Sequence, residues 1–218
     1  MSKRILFTGF ERFGSDDSNP TEALASALDG LSIGGCTVIS AKLPVRMKSM
    51  PISLRNLIDE TRPNAILLSG LWPGEPVIRL ERLAINFAEF GIPDNDGQLL
   101  SEKVSGDGRD AVRCTWPAER IEQALLSNGI PARLSEHAGT FLCNAALYTA
   151  LMHCDGRDLP IGFMHVPYLP EQVSRLIQAV RSEQRIELYQ RQDLASMSLP
   201  VQMQAARIVL NELVSTLG

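Results

Sequence analysis

Cys143, His165 and Glu81 lie far apart in the chain, yet each stands where a reactive side chain could be presented. A thiol nucleophile needs a base to take its proton, and the base often needs a carboxylate to orient it. Those three residues could fill the three roles. Cys143 follows Gly139-Thr140 and directly precedes Asn144, where a helix is expected to begin. The positive end of a helix dipole and its unpaired N–H groups would lower the thiol pKa and could hold an oxyanion. This makes Cys143 the thiol expected to alkylate fastest. His165 closes an apolar run and is followed by Val166-Pro167, an extended exit. Glu81 stands among Leu80, Leu83 and Ile85, where a carboxylate is costly to bury unless paired.

Each residue also has a plain structural reading. Cys143 fits a buried turn, His165 a satisfied core histidine, and Glu81 a surface acid beside Arg82. His137, six positions before Cys143, competes for the base, whereas His153 sits late in the following helix. The loop after the first strand carries Phe10 and Phe13, which suit either an apolar pocket or the core.

The elements that must position these residues follow from pattern. Arg4 to Thr8, Ala65 to Ser69 and Ile161 to Val166 are short apolar runs, as buried strands are. Thr37 to Leu43 alternates, and Ala132 to Ser135 reads as a further strand. Helices are expected over Glu22 to Leu28, Met47 to Thr61, Pro117 to Ser127, Asn144 to His153 and Pro200 to Leu217. Strands alternating with helices predict an α/β fold, a mostly parallel sheet with helices on both faces. From Leu71 to Gly108 the chain is rich in Gly, Pro, Asn and Asp, which predicts long connections with one or two strands around Arg82 to Phe87. Such loops commonly build the site of an α/β fold.

The chain has 218 residues, 44% hydrophobic and 21% charged, which suits one domain over 1–218 with a sizeable core. A net charge of −4 argues against nucleic-acid binding. No apolar run is long enough for a membrane span, and the start reads as a strand rather than a signal peptide, so a cytoplasmic protein is expected. The four cysteines form no CxxC pair, so structural zinc is not expected. No P-loop or GxGxxG is present, so nucleotide binding has no support.

Taken in order, the motifs Thr8-Gly-Phe-Glu-Arg-Phe-Gly14, Asn19-Pro20, Glu81-Arg82-x-Ala84-Ile85-Asn86, Ile92-Pro93-Asp94-Asn95, Ala138-Gly-Thr-Phe-x-Cys-Asn144 and His165-Val-Pro-Tyr-Leu-Pro-Glu-Gln172 resemble those of the pyroglutamyl peptidases type I, the cysteine peptidase family C15. The resemblance spans nearly the whole chain. It implies a three-layer α/β/α sandwich of phosphorylase/hydrolase-like type and hydrolysis of the amide after an N-terminal pyroglutamate. It implies a peptide or small amide as substrate, no cofactor, and a homo-oligomer, often a tetramer. By the same resemblance the nucleophile maps to Cys143, the base to His165 and the orienting acid to Glu81. The substrate would meet Phe10, Phe13, Asn19, Ile92, Phe141 and Leu142.

The chain also departs from the family pattern. Leu71 replaces a glutamine, Glu75 reverses an arginine's charge, and Gly91 stands where an arginine is common. Val45 replaces a threonine and Arg12 a proline. Losing a hydrogen-bonding amide and a cation would cost about 1 to 3 kcal/mol each if both act on substrate or oxyanion. The alternatives are therefore a thiol amidase with an altered substrate, or a weakly catalytic homologue that binds a ligand.

Overall fold

The computed structural model describes residues 3–14, 18–183 and 194–217. A seven-stranded sheet runs in the order β10-β5-β11-β4-β1-β3-β2. Its centre is β1 (Arg4–Phe10), β3 (Cys36–Leu43), β4 (Ala65–Leu71) and β11 (Ile161–Val166), all mutually parallel. β5 (Ile78–Glu81) runs antiparallel to β11, and β10 (Ala132–Ser135) runs parallel to β5, so this outer pair reverses direction. β2 (Ser32–Ile33) closes the other edge as a hairpin with β3. The central strands are apolar on both faces because helices cover both.

On one face pack α1 (Pro20–Leu28), α3 (Ala118–Ser127) and α6 (Leu199–Val214); on the other pack α2 (Met50–Thr61) and α4 (Leu142–His153). This is the expected α/β/α sandwich. The helix starts carry local causes. Asn19 caps α1 by accepting from the Thr21 N–H, with Pro20 at the first helical position and Glu22 in the first turn. In α4 the residues from Asn144 to Leu151 are all buried, because the helix lies between the sheet, α2 and the short strand β6 (Leu83–Ile85).

Three elements differ from expectation. The segment after β4 contributes β5 to the main sheet, then β6, β7 (Ala88–Glu89) and β8 (Ser101–Glu102); β6 pairs with β9 (Ala111–Arg113) and β7 with β8. An unanticipated helix, α5, spans Pro170–Glu183. α4 begins at Leu142 rather than Asn144, so Cys143 is its second residue.

Two glycines admit close approaches. A Cβ on Gly162 would lie 1.9 Å from the Trp116 ring, which crosses the strand there. A Cβ on Gly70 would lie 2.7 Å from Cys143 Sγ and 2.9 Å from Phe163 Cζ. Both positions need a bare backbone.

Candidate active site

The sheet register assembles the polar side of the site. His165 on β11 pairs with Gly70 on β4 and with Arg79 on β5, and Phe163 pairs with Glu81. Paired residues project to the same face, and so do residues two apart on one strand. His165, Arg79 and Glu81 therefore face the α4 layer together, as would a side chain at Gly70. Cys143 Sγ packs against that bare backbone. The three candidate triad residues, far apart in sequence, converge at one place.

His165 Nδ1 lies 2.8 Å from Glu81 Oε1, and both side chains are buried. With that carboxylate ionised, Nδ1 is the donor and Nε2 is left as the basic nitrogen. Nε2 and Glu81 Oε2 have no other hydrogen-bond partner among the described residues. The Ser135 hydroxyl donates to the His137 carbonyl at 3.1 Å and also lies against the Glu81 carboxylate; one rotating proton serves one acceptor at a time. Trp116 Nε1 donates to the Glu81 carbonyl at 3.0 Å and fixes the strand beneath the acid.

The charges balance locally. Burial alone would push the Glu81 carboxyl up, but the hydrogen bond from His165, the Ser135 hydroxyl and the Arg79 cation hold it below the ordinary carboxylate range. Burial pushes the His165 imidazole down, against the opposing pull of Glu81, so the ring is neutral near pH 7. Burial and the Glu81 charge push the Cys143 thiol up to about 12, although its own backbone N–H works the other way. The depression expected from the helix N-terminus is thus opposed by burial and by the Glu81 charge. With the thiol raised and the imidazole lowered, both groups are neutral near pH 7 in the free site. The thiol proton must move as the sulfur attacks.

α4 is held firmly. The buried Asn144 side chain accepts from the Ile85 N–H at 2.9 Å and donates to the carbonyls of Ile85 and Phe87. Helix geometry leaves the first-turn N–H groups of Leu142, Cys143 and Asn144 without intrahelical acceptors. Cys143 lies in this first turn, and such groups are suited to an oxyanion.

The apolar side is built from loops. Phe141 packs on Phe90 with ring centroids 4.3 Å apart and on Phe13 at 5.4 Å, above the buried Phe10. The rim is stitched by polar contacts. Asp94 accepts from the N–H groups of Met47, Asp96 and Gln98, and Asn95 bridges to Arg12 and Gly14.

The remaining candidates have different placements. Asn19 spends its amide on α1 and on the Glu11 carbonyl, so it shapes the Phe10–Phe13 loop rather than facing open space. The Leu142 side chain is buried in the core beneath Cys143, and Ile92 is exposed on the rim. Gly91 is exposed with open space around it. His137 is exposed and His153 is bonded to Asp59, so neither competes for the base.

Sequence reasoning missed Arg79, Trp72 and Phe90. Arg79 sits two residues before Glu81, and strand alternation alone would have put both on one face. The Trp72 ring meets His165 edge-on, with centroids 5.0 Å apart, and the Arg79 guanidinium lies 3.6 Å over it. A surface groove of about 900 Å³, lined by Arg62, Asn64, Thr115 and Arg157, is separate and includes none of the triad residues.

A family model described as Pyroglutamyl peptidase matches residues 3–210. The pyrrolidone-carboxylate peptidase of Thermococcus litoralis is 42% identical over 174 residues, covering 78% of this chain and 79% of that protein. The one from Pyrococcus furiosus is 39% identical over 173 residues, covering 78% and 83%. Among solved structures, a variant of the Pyrococcus furiosus pyrrolidone carboxyl peptidase superposes with a TM-score of 0.91 at 33% identity, covering 99% of this chain and all of that one. The Thermococcus litoralis structure gives 0.89 at 35% identity, covering 99% and 94%.

Proposed function

This chain belongs to the pyroglutamyl peptidase family, and we propose that it cleaves the amide after an N-terminal pyroglutamate with Cys143 as nucleophile, His165 as base and Glu81 as orienting acid. The observation that carries the reading is the buried 2.8 Å contact between Glu81 Oε1 and His165 Nδ1, with Nε2 left unbonded. The imidazole is thereby held as a neutral base on the face where Cys143 Sγ packs.

Nε2 of His165 takes the thiol proton as sulfur attacks the pyroglutamyl carbonyl. The S–C bond forms, and the carbonyl electron pair moves to oxygen, where the first-turn N–H groups of α4 receive it. Collapse of this intermediate breaks the C–N bond, and the imidazolium gives its proton to the departing amine. Water, deprotonated by His165, then attacks the thioester. The S–C bond breaks, free pyroglutamate leaves, and the proton returns to the thiol. Glu81 stays ionised throughout and stabilises the transient imidazolium. The lactam is neutral, which suits a pocket of aromatic rings from Phe13, Phe90 and Phe141 with few polar groups. Assembly into a homo-oligomer, a tetramer by resemblance, and a cytoplasmic location belong to the same reading.

The test is hydrolysis of pyroglutamyl-7-amido-4-methylcoumarin by the reduced protein beside Cys143→Ala. Release of fluorophore by the parent and none by the variant supports the proposal. A folded parent that cleaves other aminoacyl amides instead would favour a thiol amidase of altered substrate. The Trp72 indole beside His165, on a segment that departs from the family pattern, is what motivates that second reading.

A further inference from the structure

Arg79 is 4% exposed, on a strand whose other side chains lie in the core. Burying a guanidinium carries a desolvation cost that a packed apolar residue would not, so an ion pair alone is weak grounds for its presence. Yet each of its three nitrogens is engaged. Nε donates to Glu81 Oε1 at 2.8 Å, Nη2 to the His137 carbonyl at 2.7 Å, and Nη1 reaches Glu75 Oε2 at 3.4 Å. Its flat face lies over Trp72, whose edge meets the His165 ring. Glu75 is held in turn by two bonds from Arg133, at 2.9 and 2.8 Å. A carboxylate that sequence alone marks as a lost cation is thus the hinge between two arginines.

We infer that Arg79 is a positioning residue for the Glu81–His165 pair, anchored from behind by Glu75 and Arg133. This rests on the assignment of His165 as base. The carboxylate oxygen that accepts from His165 Nδ1 also accepts from Arg79 Nε, each at 2.8 Å. Two rigid planar donors on one oxygen fix the direction of that oxygen, and through it the imidazole plane. Trp72 limits the ring from the side. The charged and titratable groups facing this pair are Glu75, Arg133 and His137 beyond Arg79, Cys143 from α4, and Cys114 behind Glu81. Two carboxylates here meet two guanidinium groups. Removing Arg79 leaves an extra negative charge beside the imidazole, which would then hold a proton to higher pH and be lost as a base.

The test compares Arg79→Met, which keeps length and apolar stem, with Arg79→Lys, which keeps charge but not the planar fork. Arg79→Met should lower kcat on pyroglutamyl-7-amido-4-methylcoumarin roughly ten- to a hundredfold, with KM within about threefold. It should also move the acid limb of kcat/KM to higher pH, whereas Arg79→Lys should leave the limb in place and lose part of kcat. NMR titration of His165 requires no substrate and should shift in the same direction. Unchanged kcat and an unchanged limb in Arg79→Met, or a loss matched by a reduced folded fraction with the titration unmoved, would overturn the inference. If Arg79→Met does not fold, Arg133→Met at the solvent-facing end should give a smaller shift of the same sign, and no shift there would overturn it equally. A parent that fails to hydrolyse the amide sinks the substrate assignment, while the His165 titration still decides Arg79.

Discussion

The two walls of the site are made differently. The charged wall stands on neighbouring strands of one sheet, where His165, Arg79 and Glu81 are fixed by register and by bonds of 2.8 Å. The aromatic wall is gathered from three separate connections, with Phe141 meeting Phe13 and Phe90 ring to ring. A strand wall holds reacting atoms to a fraction of an ångström, which catalysis requires. A loop wall needs only to exclude water and offer area, so its residues can vary in place and size. Changes in the first wall should therefore act on kcat, and changes in the second on KM.

The largest expected effect removes the nucleophile between the walls: Cys143→Ala should leave less than roughly a thousandth of parental turnover, read with the fluorogenic amide. Next, Glu81→Gln should lower kcat by roughly a hundred- to ten-thousandfold with little change in KM, since a neutral amide neither fixes the tautomer nor stabilises the imidazolium. A purely KM-borne loss there would erase the distinction between the walls. Gly70→Ala adds no charge but drives a Cβ into Cys143 Sγ; a loss of roughly ten- to a hundredfold in kcat is expected, with the melting temperature recorded alongside. Phe141→Ala should raise KM about tenfold and leave kcat nearly as it was. The smallest effect concerns the free thiol. With a pKa pushed up to about 12, the rate of Cys143 alkylation by iodoacetamide should still climb between pH 7 and 10. Levelling below pH 8, followed by mass spectrometry of the labelled peptide, would mean a standing thiolate.

The strand wall was only half legible in the sequence. Cys143, His165 and Glu81 were marked by their motifs, and the strand under His165 by its apolar run. β5 was not anticipated, because Ile78-Arg-Leu-Glu81 is four residues long and lies in a segment dense with Gly and Pro. Without it Arg79 had no neighbour, and Glu75 read only as a reversal of a family arginine's charge. Its reversed direction beside β11 depends on pairings far apart in the chain, which local pattern does not contain. Asn19 has a structural role that sequence did not show. Its place in a family motif suggested substrate, and the structure adds that it caps α1. A helix start at Cys143 is visible in sequence, while the burial and the Glu81 charge that oppose a thiolate there arise from tertiary packing.

The chain has two tryptophans, and both report on this site. Trp72 meets His165 edge-on, and Trp116 holds the backbone of Glu81. A protonated imidazole quenches indole emission and a neutral one scarcely does. Ultraviolet fluorescence of the unlabelled protein should thus follow the charge on the base directly, without dye or substrate. Any lactam that settles against His165 should alter the same light, which would turn ligand screening into an optical measurement.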